Sequence, residues 1–86
     1  MKIILHRNFQ KKFTKHPFKI QKAFKIRRNL FLENPSHPFL NNHPLGGDRK
    51  NQWSINITGD WRVIYIYKNS STVTFIDIDT HSNLYQ

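Results

Sequence analysis

The stretch from Gln52 to Tyr67 constrains this chain more than any other. Its first half alternates apolar Trp53, Ile55 and Ile57 with polar Gln52, Ser54 and Asn56. A period of two gives a strand one buried face and one wet face. Thr58-Gly59-Asp60 then interrupts the pattern, and Gly59 supplies the positive φ that a tight hairpin needs. From Trp61 to Tyr67 every residue except Arg62 is β-branched or aromatic, the composition of a second strand. An antiparallel hairpin is therefore the frame, and the rest of the chain must supply the layer that covers it.

The preceding residues have the right pattern for that layer. Ile3-Ile4-Leu5 reads as a short strand. Asn8 is placed to cap a helix in which Phe9 and Phe13 share one face and Lys11, Lys12 and Lys15 point outward. His16-Pro17 ends that helix and starts another, because proline is tolerated in the first turn. From Phe18 to Glu33, Ile20, Ala23, Phe24, Leu30 and Phe31 recur at helical spacing until Asn34-Pro35 stops the run. A long loop from Pro35 to Asn51 leads into the hairpin. Beyond it, Lys68-Asn69-Ser70-Ser71 turns the chain into a third strand, Thr72 to Ile78. The tail from Asp79 to Tyr85 is too short for an element of its own, and Leu84 is expected to anchor it. These readings predict a single α+β domain over residues 1–86: a strand, a helical hairpin and an antiparallel three-stranded meander in two layers.

Charge narrows the class of partner. The 86-residue chain carries 14 lysines and arginines against 5 acids, a net charge of +9. Lys2 through Arg28 hold most of the cations with no acid among them, so Lys15, Lys22 and Lys25 become candidates for contact with a polyanion such as nucleic acid. No cysteine is present, which excludes a disulfide framework, a thiolate nucleophile and a cysteine-based zinc site. No His-x-x-x-His or glutamate-rich pattern argues for a metal, and no cofactor is expected. Without an apolar run of about 20 residues or the core of a signal peptide, the expected location is the cytoplasm.

Two histidines lie where structural demand is weak, His43 in the long loop and His81 beyond the third strand. A side chain with an ordinary pKa near 6.5 can both take and give a proton at neutrality. RNA carries its own nucleophile in the 2′-hydroxyl. A base, an acid and cations for the phosphorane therefore suffice to cleave it. Arg62, Arg49 and Lys50 could supply the cations. Tyr85, Trp61 and Tyr65 offer rings for an unstacked base, although strand aromatics more often pack in the core.

Three segments carry a resemblance to a known family. His43-Pro44-Leu45-Gly46-Gly47, Trp53 through Tyr65, and Thr80-His81-Ser82-Asn83-Leu84-Tyr85 resemble the RelE/ParE superfamily of bacterial toxins, most closely its RelE/StbE and YafQ-type mRNA interferases. The resemblance implies a RelE-like, microbial-ribonuclease type of fold. It also implies a toxin of a type II toxin–antitoxin system that cleaves mRNA on the ribosome and is neutralised by an acidic antitoxin. His43, Asp60, Trp61, His81 and Tyr85 match the active-site pattern of the YafQ type, and Arg62 matches the arginine of the RelE-type strand. Asn56 stands where that pattern has a further histidine, and Asp77 where it has an arginine. The implied assignment is His43 and His81 as an acid/base pair of open direction, Arg62 on the phosphate and Tyr85 against a base. A ParE-like inhibitor of DNA gyrase, or a catalytically weak antitoxin-binding relic, is the alternative.

Overall fold

The computed structural model describes residues 1–85. Five strands form one sheet: β1 Lys2–Leu5, β2 His43–Pro44, β3 Trp53–Thr58, β4 Trp61–Asn69 and β5 Thr72–Thr80, in the order β1-β5-β4-β3-β2. Helices α1 Arg7–Lys15 and α2 Phe18–Glu33 follow β1, and α3 His81–Leu84 follows β5. The hairpin of β3 and β4 turns at Gly59, where φ is +49°. β1 runs parallel to β5, with Ile3 opposite Val73. Parallel neighbours need a long crossover, and here the crossover begins with the helical hairpin.

That hairpin buries its aromatic stripe against one face of the sheet. Phe9 and Phe31 are fully buried and Phe24 nearly so, against Phe75, Tyr65, Val63 and Ile55. Phe9 lies 5.2 Å from Phe24 and 6.0 Å from Phe75 between ring centroids, so both helices and the sheet meet at one aromatic cluster. Removing a ring of this kind typically costs about 3–5 kcal/mol. Trp53 and Trp61 pack on the same cluster from the sheet, as strand aromatics usually do. The alternate residues of β3, Ser54 and Asn56, project to the opposite face.

Several sequence expectations change at this level. The sheet has a fifth strand, because His43-Pro44 pairs with Ser54 and Trp53 at its edge. Two residues are too few to show a period. The tail is not structureless: it forms α3, capped by the Thr80 hydroxyl, which accepts from Asn83 N at 3.3 Å. β5 runs to Thr80 rather than Ile78, and a register shift lets Ile76 slip between the Phe75–Tyr65 and Asp77–Ile64 pairs. The cap of α1 is His6, whose Nδ1 accepts from Asn8 N at 3.1 Å, not Asn8. Lys12 does not point outward with Lys11 and Lys15. It reaches β5, 2.7 Å from Asp77 and 3.1 Å from Asp79. Among the described residues, no helix is long and apolar enough to cross a membrane.

Candidate functional site

The face of the sheet away from α1 and α2 carries a cavity of about 430 Å³, bounded by Asn41, His43, Leu45, Ser54, Arg62, His81 and Tyr85. Four segments distant in sequence build it. β2 brings His43 beside Ser54 of β3 in the antiparallel register, β4 contributes Arg62, and α3 carries His81, with Tyr85 as its C-cap. The backbone N–H of His81 donates to the Asp60 carbonyl at 2.8 Å, fixing the start of α3 against the central hairpin turn.

Among the described residues one hydrogen bond holds the His43 ring, and its chemistry defines the tautomer. Its Nδ1 lies 2.7 Å from the Asn41 carbonyl oxygen. A carbonyl can only accept, so Nδ1 carries the proton and the neutral ring keeps its lone pair on Nε2. Asn41 adopts the left-handed conformation, φ +44°, ψ +47°, at the corner that turns the chain into β2. The His81 ring packs 4.6 Å from the Tyr85 ring.

Arg62 and Asp79 are register neighbours, yet they do not pair. Arg62 Nη1 donates instead to the carbonyls of Gly59 at 2.9 Å and Trp61 at 3.1 Å. The two carboxylates near it are claimed by Lys12. Burial alone would lower the Lys12 pKa, but the hydrogen bonds and charges of Asp77 and Asp79 raise it above its ordinary value. For Asp79, burial pushes the carboxyl up, and bonds from Asn83, the Thr80 N–H and Lys12 outweigh that and hold it low. The acid at position 77 is thus neutralised by a helix lysine, and among the described residues Arg62 has no carboxylate partner. Lys12 escaped the sequence reading. The signal available was Asp77 and Asp79, two acids spaced to share a strand face in a chain otherwise full of cations.

The remaining predicted residues separate. Asp60 is exposed in the hairpin turn and does not border the cavity. Trp61 lies on the helix side of the sheet, edge-on to His16 at 4.7 Å, so it is packing rather than a platform beside His43. Tyr65 is fully buried, its hydroxyl donating to Asn42 Oδ1 at 2.7 Å, and burial raises its pKa. Arg49 bonds the Leu84 carbonyl and, at 3.1 Å, Gln52 Oε1, with its guanidinium 5.1 Å from the Tyr85 ring centre. It tethers α3 to the loop. Lys50, Lys15, Lys22 and Lys25 are exposed, the last three on the helical layer. Ser54, fully buried in the cavity wall, and Asn56, opposite Arg62, each hold a side-chain oxygen with no hydrogen-bond partner among the described residues.

Comparison with known proteins settles the family. The model of the YafQ toxins, bacterial toxins of type II toxin–antitoxin systems, matches residues 1–86. The chain belongs to the YafQ toxin family. YafQ from E. coli has the same fold, with a TM-score of 0.78 at 21% identity over 99% of this chain and 98% of that one. A YoeB/ParE toxin from Agrobacterium tumefaciens superposes with a TM-score of 0.76 at 19% identity, covering 94% of this chain and 99% of its own. The RelB–RelE antitoxin–toxin complex from Methanococcus jannaschii gives 0.74 at 19% identity, covering 95% and 94%. No curated protein matches by sequence. This member of the YafQ family is accordingly a type II toxin with the RelE-type α+β fold.

Proposed function

We propose that this YafQ-family toxin is a metal-independent endoribonuclease that cuts mRNA during translation. The observation that carries the reading is the convergence of His43, His81, Arg62 and Tyr85 on one cavity, with Nε2 of His43 left free by the bond to Asn41. His43 Nε2 takes the proton of a ribose 2′-hydroxyl. The 2′-oxygen bonds to phosphorus, and the bond from phosphorus to the 5′-oxygen breaks as protonated His81 donates to that oxygen. The products are a 2′,3′-cyclic phosphate and a 5′-hydroxyl. Arg62, unclaimed by the neighbouring acids, faces the charge that develops on the phosphorane. Tyr85 supplies a ring for a base.

The basic helical layer supports the partner assignments. Its exposed lysines suit ribosomal RNA phosphates, and the opposite sign suits an acidic antitoxin. E. coli YafQ is known in a complex with DinJ, with the same fold as this chain. A cognate antitoxin that folds on binding is the corresponding partner here.

Expression of the wild type, His43→Ala and His81→Ala in cells carrying translated and untranslated copies of one message tests the reading. New 5′ ends on the translated copy alone, lost in both variants, are expected. Growth arrest with intact messages would overturn the ribonuclease and move the search to DNA gyrase.

A further inference from the structure

A second cavity, of about 450 Å³, opens on the other face of the sheet edge and meets the first at Asn41. Pro35, His37, Asn41 and Asn42 of the loop after α2 form one side, and Trp53 and Tyr67 of the sheet form the other. Asn41 borders both cavities. Trp53 and Ser54 are consecutive on β3, so their side chains leave opposite faces of the strand, one toward each cavity. A ligand that fills both must pass over Asn41 at the edge of the sheet.

The second cavity has the make-up of a site for a flat, polar-edged ring. Tyr67 keeps 43% of its surface exposed while its ring meets Trp53 at 5.7 Å, nearly perpendicular. Tyr65 meets the same ring at 5.7 Å, so two rings brace Tyr67 while its exposed part borders the cavity. Asn42 holds the wall rigid: its Nδ2 donates to the Pro35 carbonyl at 3.1 Å and its Oδ1 accepts from Tyr65. His37 accepts from Phe39 N through Nδ1 at 3.1 Å, so its neutral ring keeps Nε2–H as a free donor. The Asn41 side-chain amide makes no hydrogen bond among the described residues and can read a base edge. No carboxylate lines either cavity among the described residues. Aromatic and apolar walls with a few fixed polar groups are the usual form of a small-ligand pocket, and unpaired bases are held by stacking plus edge hydrogen bonds.

We propose that this second cavity binds the base of a nucleotide flanking the cleaved phosphate, stacked on Tyr67 and read by Asn41 and His37. The inference rests on the ribonuclease reading of the first cavity. Asn41 borders both cavities, so an oligonucleotide that rounds the sheet edge at Asn41 enters both.

Two-dimensional 1H–15N spectra of the intact protein with trinucleotides carrying a 2′-deoxyribose at the cleavable position, which cannot be cut, provide the test. Trp53 Nε1–H and the Asn41 and Asn42 side-chain amides are expected to shift, with Trp61 as an internal control. Tyr67→Ala, at a half-exposed position, is expected to weaken trinucleotide binding about 5- to 150-fold, the range for losing one stacking ring. An abasic residue at one end of the trinucleotide is expected to weaken it comparably, leaving the His43 and His81 signals responsive. Responses confined to His43, His81 and Tyr85, unchanged in Tyr67→Ala, would overturn the subsite while leaving the ribonuclease reading intact. No response at millimolar trinucleotide would overturn both. If Tyr67→Ala left every oligonucleotide untouched and weakened antitoxin capture, the cavity would belong to a protein interface and the inference would fall.

Discussion

The carbonyl of Asn41 accepts the Nδ1 proton of His43 at 2.7 Å, from a residue in the left-handed region of backbone space. The orientation of one imidazole thus depends on a backbone conformation two residues earlier. Asparagine tolerates that conformation better than most residues, and glycine adopts it freely.

Asn41→Gly is expected to preserve the His43 tautomer. Asn41→Val forces a β-branched residue toward φ +44°, at a cost of about 1–2 kcal/mol or more, and should release the carbonyl. Imidazole 15N shifts are the measurement. A single Nδ1–H form in the glycine variant and a tautomer mixture in the valine variant are expected; both lack the side-chain amide, so message cleavage about tenfold or more lower in the valine variant than in the glycine variant reports the tautomer.

Arg49 connects the loop to α3 through Leu84, Gln52 and Tyr85. Hydrogen bonds to a charged group are worth about 1.5–3 kcal/mol when buried, and these are partly exposed, so Arg49→Ala should cost about 1 kcal/mol. It should also speed amide exchange at Asn83 and Tyr85. Arg49→Lys keeps the charge but loses the planar fork, so it is expected to behave like alanine. Full rescue of stability and exchange by lysine would mean that positive charge, rather than the planar fork, ties the loop to α3.

The Lys12–Asp79 pair gives a stability window with a defined sign. Asp79 is held below its ordinary value of 3.8, so its contribution is present above that pH and is lost as pH falls through the lower folded value. Lys12 is raised above 10.5, so its contribution is present below that pH and is lost as pH climbs through the higher folded value. Asp79→Asn should lower the thermal midpoint at pH 7 by a few degrees, with the difference from wild type closing as pH falls through the lowered folded value of Asp79. A difference that persists in acid would show that the bonds to Asn83 and Thr80, rather than charge, dominate.

Ser54 Oγ is buried without a hydrogen-bond partner among the described residues. Removing an unsatisfied buried hydroxyl recovers about 1 kcal/mol, so Ser54→Ala is expected to raise the thermal midpoint by about 4 °C or more. Calorimetry decides this. A lower midpoint would mean that the hydroxyl has found a partner in solution.

The lysines of the helical layer are predicted to act together. Changing Lys15, Lys22 and Lys25 to alanine should leave the fold intact, since all three are exposed. The slope of log affinity for ribosomes against log salt should fall by about two to three. Normal ribosome and antitoxin binding would remove the polyanion account of the charge.

The sequence by itself determined the hairpin, both helices and their aromatic stripe, because periods of two and 3.6 are local consequences of backbone geometry. Gly59 was legible for the same reason: a turn with positive φ selects glycine within a few residues. His43, Arg62, His81 and Tyr85 were legible as candidates from residue type and from the resemblance to a family. Their convergence on one cavity was decided by tertiary structure, since β2, β4 and α3 bring them together from distant parts of the chain. Trp61 shows the same limit in reverse. Alternation places it in a strand, but only packing against His16 and the helical layer removes it from the site. Lys12 is the sharpest case. About 100° of rotation about the α1 axis, the step from Lys11 to Lys12, separates a solvated lysine from one that neutralises Asp77 and Asp79, and that rotation is set by how Phe9 and Phe13 seat on the sheet, a long-range fit with no local signature.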